Sequence, residues 1–241
     1  MRTIDMTIQT KEQLAKYFDH TLLDCMAVKA DIRRVCDEAV EYGFYAVCVQ
    51  PRWVALCADI LLGTGAKVVS VAGFPYGTNV SKVKAFEADA VIMDGADEVD
   101  IVADMASVIA SDANYLRRDF EAVLKVCHSV GPNVPLKVII ESAALNEQQI
   151  RFVCGIAQDT GVDFVKTSTG FHKAGGANVD DVKLMAEAAP RCKIKAAGGI
   201  RMLEQTLAFI EAGVSRIGAS ASVQIIEQFN AKAATDANDT T

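Results

Sequence analysis

Residues 163–199 read DFVKTSTGFHKAGGANVDDVKLMAEAAPRCKIKAAGG, and the fold is decided there. The stretch opens on a short apolar run, Phe164–Ser168, and passes through a glycine-bearing loop. Asn178 then opens a helical pattern carrying Val182, Met185 and Ala186, with Pro190 beyond its end. A second apolar run, Lys193–Ala197, follows and stops at Gly198 and Gly199. Strand, helix, strand is the building unit of a parallel sheet.

The alternation continues outward in both directions. Further strands are expected at Tyr17–Leu22, Tyr45–Gln50, Lys67–Gly73, Glu98–Val102, Leu136–Glu141 and Ser215–Ala219. Asp31–Tyr42 sets Ile32, Val35, Cys36, Ala39 and Val40 on one stripe, stopped by Gly43. Ser81 is placed to cap a helix whose apolar stripe is Val83, Phe86, Ala90 and Met93, closed by Gly95. Leu116, Phe120, Val123, Leu124 and Cys127 share the spacing, as do Ile150, Val153, Cys154 and Ala157 between Asn146 and Gly161. Leu203, Leu207 and Ile210 line another helix, and Val223, Ile226 and Phe229 the last.

Eight strands, each followed by a helix, within about 230 residues is the count of a (β/α)8 TIM barrel. A doubly wound sheet would have fewer strands and a glycine-rich nucleotide loop; neither G-x-G-x-x-G nor G-x-x-x-x-G-K-[ST] occurs. One domain spanning 1–241 is expected, with residues 1–10 as an N-terminal extension and 231–241, rich in Ala, Asp, Asn and Thr, as a flexible tail.

Composition narrows the partners. A net charge of -7 without a basic cluster argues against nucleic acid, and no apolar run is long enough to suggest a membrane span. Small molecules and other protein subunits remain. Seven cysteines, an odd number with no C-x-x-C pair, read as buried reduced thiols, which suits the cytoplasm. Only His20, His128 and His172 occur, none at metal-ligand spacing, so neither a histidine metal site nor a Ser-His-Asp triad is expected.

In this architecture the reactive groups stand at the C-terminal ends of strands and in the loops beyond. Lys166 ends the sixth strand and Lys195 lies near the end of the seventh. Neighbouring strands are about 4.8 Å apart, which makes the two amines candidates for close company. Burial and a second cation both disfavour a charged ammonium, leaving one lysine able to attack a carbonyl. The structural alternative is a pair of lysines pointing outward to solvent. Asp100, on the fourth strand, either moves protons with Lys195 or forms a structural ion pair; Asp19, on the first, either binds a substrate hydroxyl or anchors the barrel floor. Cys48 reads as a small packed residue bordering a pocket. Gly170, Gly198, Gly199 and the Gly218-Ala-Ser220 end of the eighth strand converge on one quadrant, where backbone amides and a helix start favour a phosphate.

Taken together, Asp19-His-Thr-Leu-Leu23, Val47-Cys-Val-Gln-Pro51, Val71-Ala-Gly-Phe-Pro-Tyr-Gly77, Gly95-Ala-Asp-Glu-Val-Asp100, Leu136-Lys-Val-Ile-Ile-Glu141, Val165-Lys-Thr-Ser-Thr-Gly-Phe171, Lys195-Ala-Ala-Gly-Gly-Ile-Arg201 and Arg216-Ile-Gly-Ala-Ser220 resemble the 2-deoxyribose-5-phosphate aldolase family. The resemblance runs from about residue 17 to residue 222, nearly the whole barrel. It implies reversible cleavage of the sugar phosphate to D-glyceraldehyde 3-phosphate and acetaldehyde, with no metal and no organic cofactor. It implies that Lys166 forms the Schiff base while Lys195 and Asp100 tune it and move protons. Asp19 and Thr21 would hold the substrate, Cys48 would border the pocket, and Gly170, Gly198, Gly199 and Ser220 would surround the phosphate. A homodimer is implied as well. The chain departs from the family pattern at Gln50, Ala103–Ala106, Ser142–Ala144 and Ala221, the last of which removes a hydroxyl beside Ser220. Two other readings keep the barrel: an imine-forming aldolase with a different substrate, and a sugar-phosphate-binding protein without catalysis.

Overall fold

The computed structural model describes residues 8–129 and 134–238. In chain order the elements are α1 (Lys11–Ala15), β1 (Phe18–Leu22), α2 (Lys29–Tyr42), β2 (Ala46–Val49), α3 (Val54–Leu61), β3 (Lys67–Ala72), α4 (Ser81–Met93), β4 (Glu98–Val102), α5 (Met105–Ile109), α6 (Ala113–Cys127), β5 (Leu136–Ile139), α7 (Glu147–Thr160), β6 (Phe164–Lys166), α8 (Val179–Ala188), β7 (Lys193–Ala197), α9 (Leu203–Glu211), β8 (Arg216–Ala219) and α10 (Ser222–Asn238). The strands pair in sequence order, all parallel, and β8 returns to β1. The expected (β/α)8 barrel is present. No helix among the described residues is long and apolar enough to cross a membrane.

Side chains alternate along each strand between the barrel interior and the helix layer. Val47 and Val49 of β2, Val99 and Ile101 of β4, and Ile194 and Ala196 of β7 join the large core under the helices. Ala46, Cys48, Val69 and Val71 instead form a small apolar cluster with Leu23 inside the barrel. The inward positions of β4 to β8 and β1 are filled differently, by Glu98, Asp100, Lys137, Lys166, Lys195, Arg216 and Asp19, all buried. The barrel is therefore greasy against β2 and β3 and ionic elsewhere. A one-residue slip in register would carry those charges into the helix core, so the period-two pattern fixes their placement.

Helix ends follow local chemistry. Thr10 and Asn146 form capping boxes with Gln13 and Gln149, and Asn178 caps α8. Ser81 is the first residue of α4 rather than its cap, a place taken by Val80. The stripe expected to bury α4 is also wrong-sided: Val83, Phe86, Ala90 and Met93 face solvent, while Lys84, Ala88, Val91 and Ile92 are buried. Almost every third or fourth residue of this helix is apolar, so spacing alone does not select a face. The inner face is chosen by Lys84, whose Nζ pairs with Asp119 of α6 at 2.6 Å and donates to the Val102 carbonyl at 2.8 Å. The tail expected from residue 231 is helical as far as Asn238, because its alanines extend α10; residues 239–241 and 1–7 lie outside the described part.

Candidate active site

Lys166 is the last residue of β6 and pairs across the ladder with Lys195 of β7. Both point inward and are almost completely buried. Each places its Nζ 2.8 Å from the same atom, Oδ2 of Asp100. Lys195 also contacts Asp19, whose other oxygen takes Nη1 of Arg216 at 2.9 Å. Four of the residues expected at the site thus meet in one cluster.

Three further charges lie directly beneath. Lys137 of β5 reaches Oδ1 of Asp100 at 2.8 Å and Oε2 of Glu98 at 2.7 Å. Arg216 lies 3.4 Å above the Tyr45 ring and 3.4 Å from Glu98, and the Tyr45 hydroxyl donates to Glu98 at 2.8 Å. Sequence reasoning did not single out Lys137, Glu98, Arg216 or Tyr45. The available signal was a charged residue at an inward strand position, the same signal that marked Asp100.

The cluster contains four cationic side chains, Lys137, Lys166, Lys195 and Arg216, and three carboxylates, Asp19, Glu98 and Asp100. With every group charged, this buried cluster holds one positive charge too many. Releasing one proton balances it, and Lys166 is the base with the weakest claim to keep its own. Lys137, Lys195 and Arg216 each touch two carboxylates, whereas Lys166 has only the Asp100 oxygen it shares. Burial pushes the Lys166 amine down; Asp100 opposes this and the Lys195 charge adds to it. Burial also acts against charge on Lys195 and Lys137, but Asp100 with Asp19, or Asp100 with Glu98, outweighs it and raises both. Burial would raise Asp100, yet Lys137, Lys166 and Lys195 hold it well below the usual carboxylate range. Asp19 is likewise lowered by Lys195 and Arg216 in spite of burial.

Cys48 closes the apolar side of this cluster. Its thiol is fully enclosed and burial pushes it up, which suits a wall rather than a nucleophile. Thr21 donates its hydroxyl to the Asp19 carbonyl at 2.7 Å and is half-buried. A side chain at Gly218 would come within 3.2 Å of Lys195 Cε, so glycine there leaves room for the lysine stem.

The glycines form a second feature at the C-terminal mouth. Gly170 and Gly198 have positive φ and stand side by side, a Cβ on the first falling 3.7 Å from the Cα of the second. Gly176, which sequence reasoning passed over, packs so closely that a Cβ would overlap the Gly198 carbonyl oxygen. Ala177 N donates to the carbonyls of both Ala197 and Gly198 at 3.2 Å. Gly199 borders open space, and Ser220 is exposed two residues before α10 begins. Glu141, left-handed at φ 53°, accepts from Thr169 N at 3.1 Å and from its hydroxyl at 2.6 Å, tying the loop after β5 to the segment after Lys166. Phe74 and Phe171, from the loops after β3 and β6, meet edge to face at 5.3 Å and form an aromatic rim.

Comparison with known proteins defines the class. The profile of the DeoC/LacD family aldolases matches residues 9–225. A deoxyribose-phosphate aldolase of Thermococcus gammatolerans is 50% identical over 217 residues, 89% of this chain and 95% of the relative. That of Thermococcus kodakarensis is 49% identical over 220 residues, 90% and 97%. The tetrameric deoxyribose phosphate aldolase of Aeropyrum pernix superposes with a TM-score of 0.84 at 30% identity, covering 92% of each chain. A parallel barrel carrying this cluster is the scaffold of an aldolase, a lyase that makes and breaks carbon–carbon bonds. Within that class the chain belongs to the DeoC/LacD family.

Proposed function

We propose that this aldolase cleaves 2-deoxy-D-ribose 5-phosphate reversibly to D-glyceraldehyde 3-phosphate and acetaldehyde, through a Schiff base on Lys166. The observation carrying this reading is the single shared carboxylate contact of Lys166 within a cluster one positive charge in excess. The neutral amine adds to the open-chain aldehyde, and loss of water leaves a protonated imine. Deprotonation of the sugar hydroxyl releases the bond electrons into that imine, and the carbon–carbon bond breaks to give an enamine. Protonation of the enamine carbon and hydrolysis return acetaldehyde and free Lys166. Asp100 and Lys195 move the protons, with Asp19 and Thr21 holding the substrate and Cys48 bordering it. Gly170, Gly198, Gly199 and Ser220 receive the phosphate, supported by the close packing of Gly170 on Gly198 at the mouth and by the start of α10 just beyond Ser220. No metal or organic cofactor enters these steps.

One barrel carries the whole reaction in this reading, and the subunits associate as a homodimer in the cytoplasm. The tetrameric relative supports association. Seven free thiols, six of them buried, suit a reducing compartment.

Borohydride added with acetaldehyde tests the chemistry. An ethyl group on Lys166, located by peptide mass, is the expected product, and Lys166→Ala abolishes both labelling and turnover. Label on another lysine, with Lys166 unmodified, rejects the assignment. Turnover of deoxyribose 5-phosphate against a panel of sugar phosphates tests the substrate.

A further inference from the structure

Glu141 stands just beyond β5 in a conformation and a setting that both disfavour it. Its backbone is left-handed at φ 53°, where glycine sits freely and an L side chain is strained. Its carboxyl group is buried, which costs hydration unless hydrogen bonds replace it. Both oxygens are taken up by one residue. Oε1 accepts from Thr169 N at 3.1 Å and Oε2 from the Thr169 hydroxyl at 2.6 Å. The same hydroxyl accepts from Phe171 N at 3.1 Å. Carboxyl, hydroxyl and amide thus form a short chain around Gly170, which lies between Thr169 and Phe171 at φ 84°.

Contacts on either side make this chain part of a longer clamp. Ile140 N donates to the Lys166 carbonyl at 2.9 Å, and Ser142 N to that of Thr167 at 2.8 Å. From the β7 side, the Thr167 hydroxyl donates to the Ala197 carbonyl at 3.1 Å and accepts from Ala197 N at 3.0 Å. Although β6 ends at Lys166, the backbone beyond it is held as far as Phe171.

We infer that Glu141 is a positioning residue that sets the span between the Lys166 amine and the phosphate pocket at Gly170. The inference rests on the imine and phosphate positions proposed above. A sugar phosphate held as an imine is tied at C1 and at its phosphate together. Phosphate binding therefore assists reaction at C1 only when the two anchors stand at the separation the bound sugar requires. Lys166 and Gly170 are four residues apart on one stretch of backbone, and Glu141 stiffens that stretch from the β5 side. Loss of its grip lets Gly170 shift against Lys166 without deleting a group that meets the substrate.

The test compares kcat/KM for 2-deoxy-D-ribose 5-phosphate with that for 2-deoxy-D-ribose, which has no phosphate. The wild type is expected to favour the phosphorylated sugar. Glu141→Gly keeps the left-handed turn and removes the carboxyl group, whereas Thr169→Val removes only the hydroxyl. Each should lower that preference on the order of tenfold to a hundredfold, the effect of a small misplacement, and Thr169→Ser should restore it. The double variant should do no worse than the poorer single one, because both act through one chain. A residue that merely stabilised the fold would lower both rates in step and leave their ratio as it was. Circular dichroism and borohydride labelling of Lys166 show which variants fold and form the imine; should Glu141→Gly fail to fold, Thr169→Val decides. A folded Thr169→Val with the wild-type preference overturns the role of Glu141 and leaves the proposed function standing. A wild type without preference for the phosphorylated sugar, or without label on Lys166, overturns both.

Discussion

Lys166 differs from its cationic neighbours by one contact, and the account of reactivity turns on that difference. The counting argument predicts what happens when another cation is removed. With Lys195→Leu the cluster balances while Lys166 keeps its proton, so the amine reverts toward the charged form. The acid limb of the kcat/KM profile should move to higher pH, and kcat should fall by about 10²–10⁴-fold. Lys137→Met should move the limb in the same direction, because it removes a charge from beneath Asp100. A Lys137→Met profile superimposable on the wild type would show that the lower layer does not tune Lys166. Lys166 and Lys195 were legible in sequence because they stand at or toward the ends of neighbouring strands with a glycine-bearing loop beyond each, and Asp100 and Asp19 because they interrupt apolar strand runs. Lys137 was not, since a lone lysine in a strand reads as readily as an outward, solvent-reaching side chain until the neighbouring registers set it beside Asp100.

At the scale of elements, the eight strands were readable to within two residues at each boundary, because short Val- and Ile-rich runs between breakers have little else to become. The α4 face was not, because apolar residues on both sides of the helix leave the pattern undecided and a lysine was discounted as core. Lys84 belongs inside only because Asp119 comes from α6 to meet it. Removing one partner strands a buried charge, so Lys84→Met should destabilise the fold by about 3–5 kcal/mol in chemical denaturation. The double variant Lys84→Met with Asp119→Leu should regain most of that loss. A double variant no more stable than the single one would mean that the bond to the Val102 carbonyl, not the ion pair, holds α4. The mouth loops allow a parallel test. Gly198→Ala forces an L side chain into φ +91° with a Cβ 3.0 Å from Gly176 Cα, so KM for the phosphorylated substrate should rise more than kcat falls.

For the whole molecule, the same charges set how stability varies with pH. The folded-state value of Lys166 is lowered, so between that value and the ordinary lysine value of about 10.4 the unfolded chain binds more protons. Its contribution therefore makes stability rise with pH across that window. Lys137 and Lys195 are raised; their contribution is complete below about 10.4 and is lost as pH climbs through their folded values. Burial pushes the Cys192 and Cys127 thiols up to about 11 and about 12, so they too cost stability above about 8.5. The Lys166 share is isolated as the difference between wild type and Lys166→Met, which should grow with pH in the window below 10.4. A difference that is flat in pH would mean that Lys166 titrates alike in the folded and unfolded chain.

The most direct measurement is the titration of Lys166 itself, followed by nitrogen NMR of its Nζ in the folded enzyme, with Lys195 as internal reference. The account predicts that Lys166 loses its proton below the ordinary lysine range while Lys195 remains charged beyond it. A Lys166 amine that titrates at or above the ordinary lysine value would contradict the account.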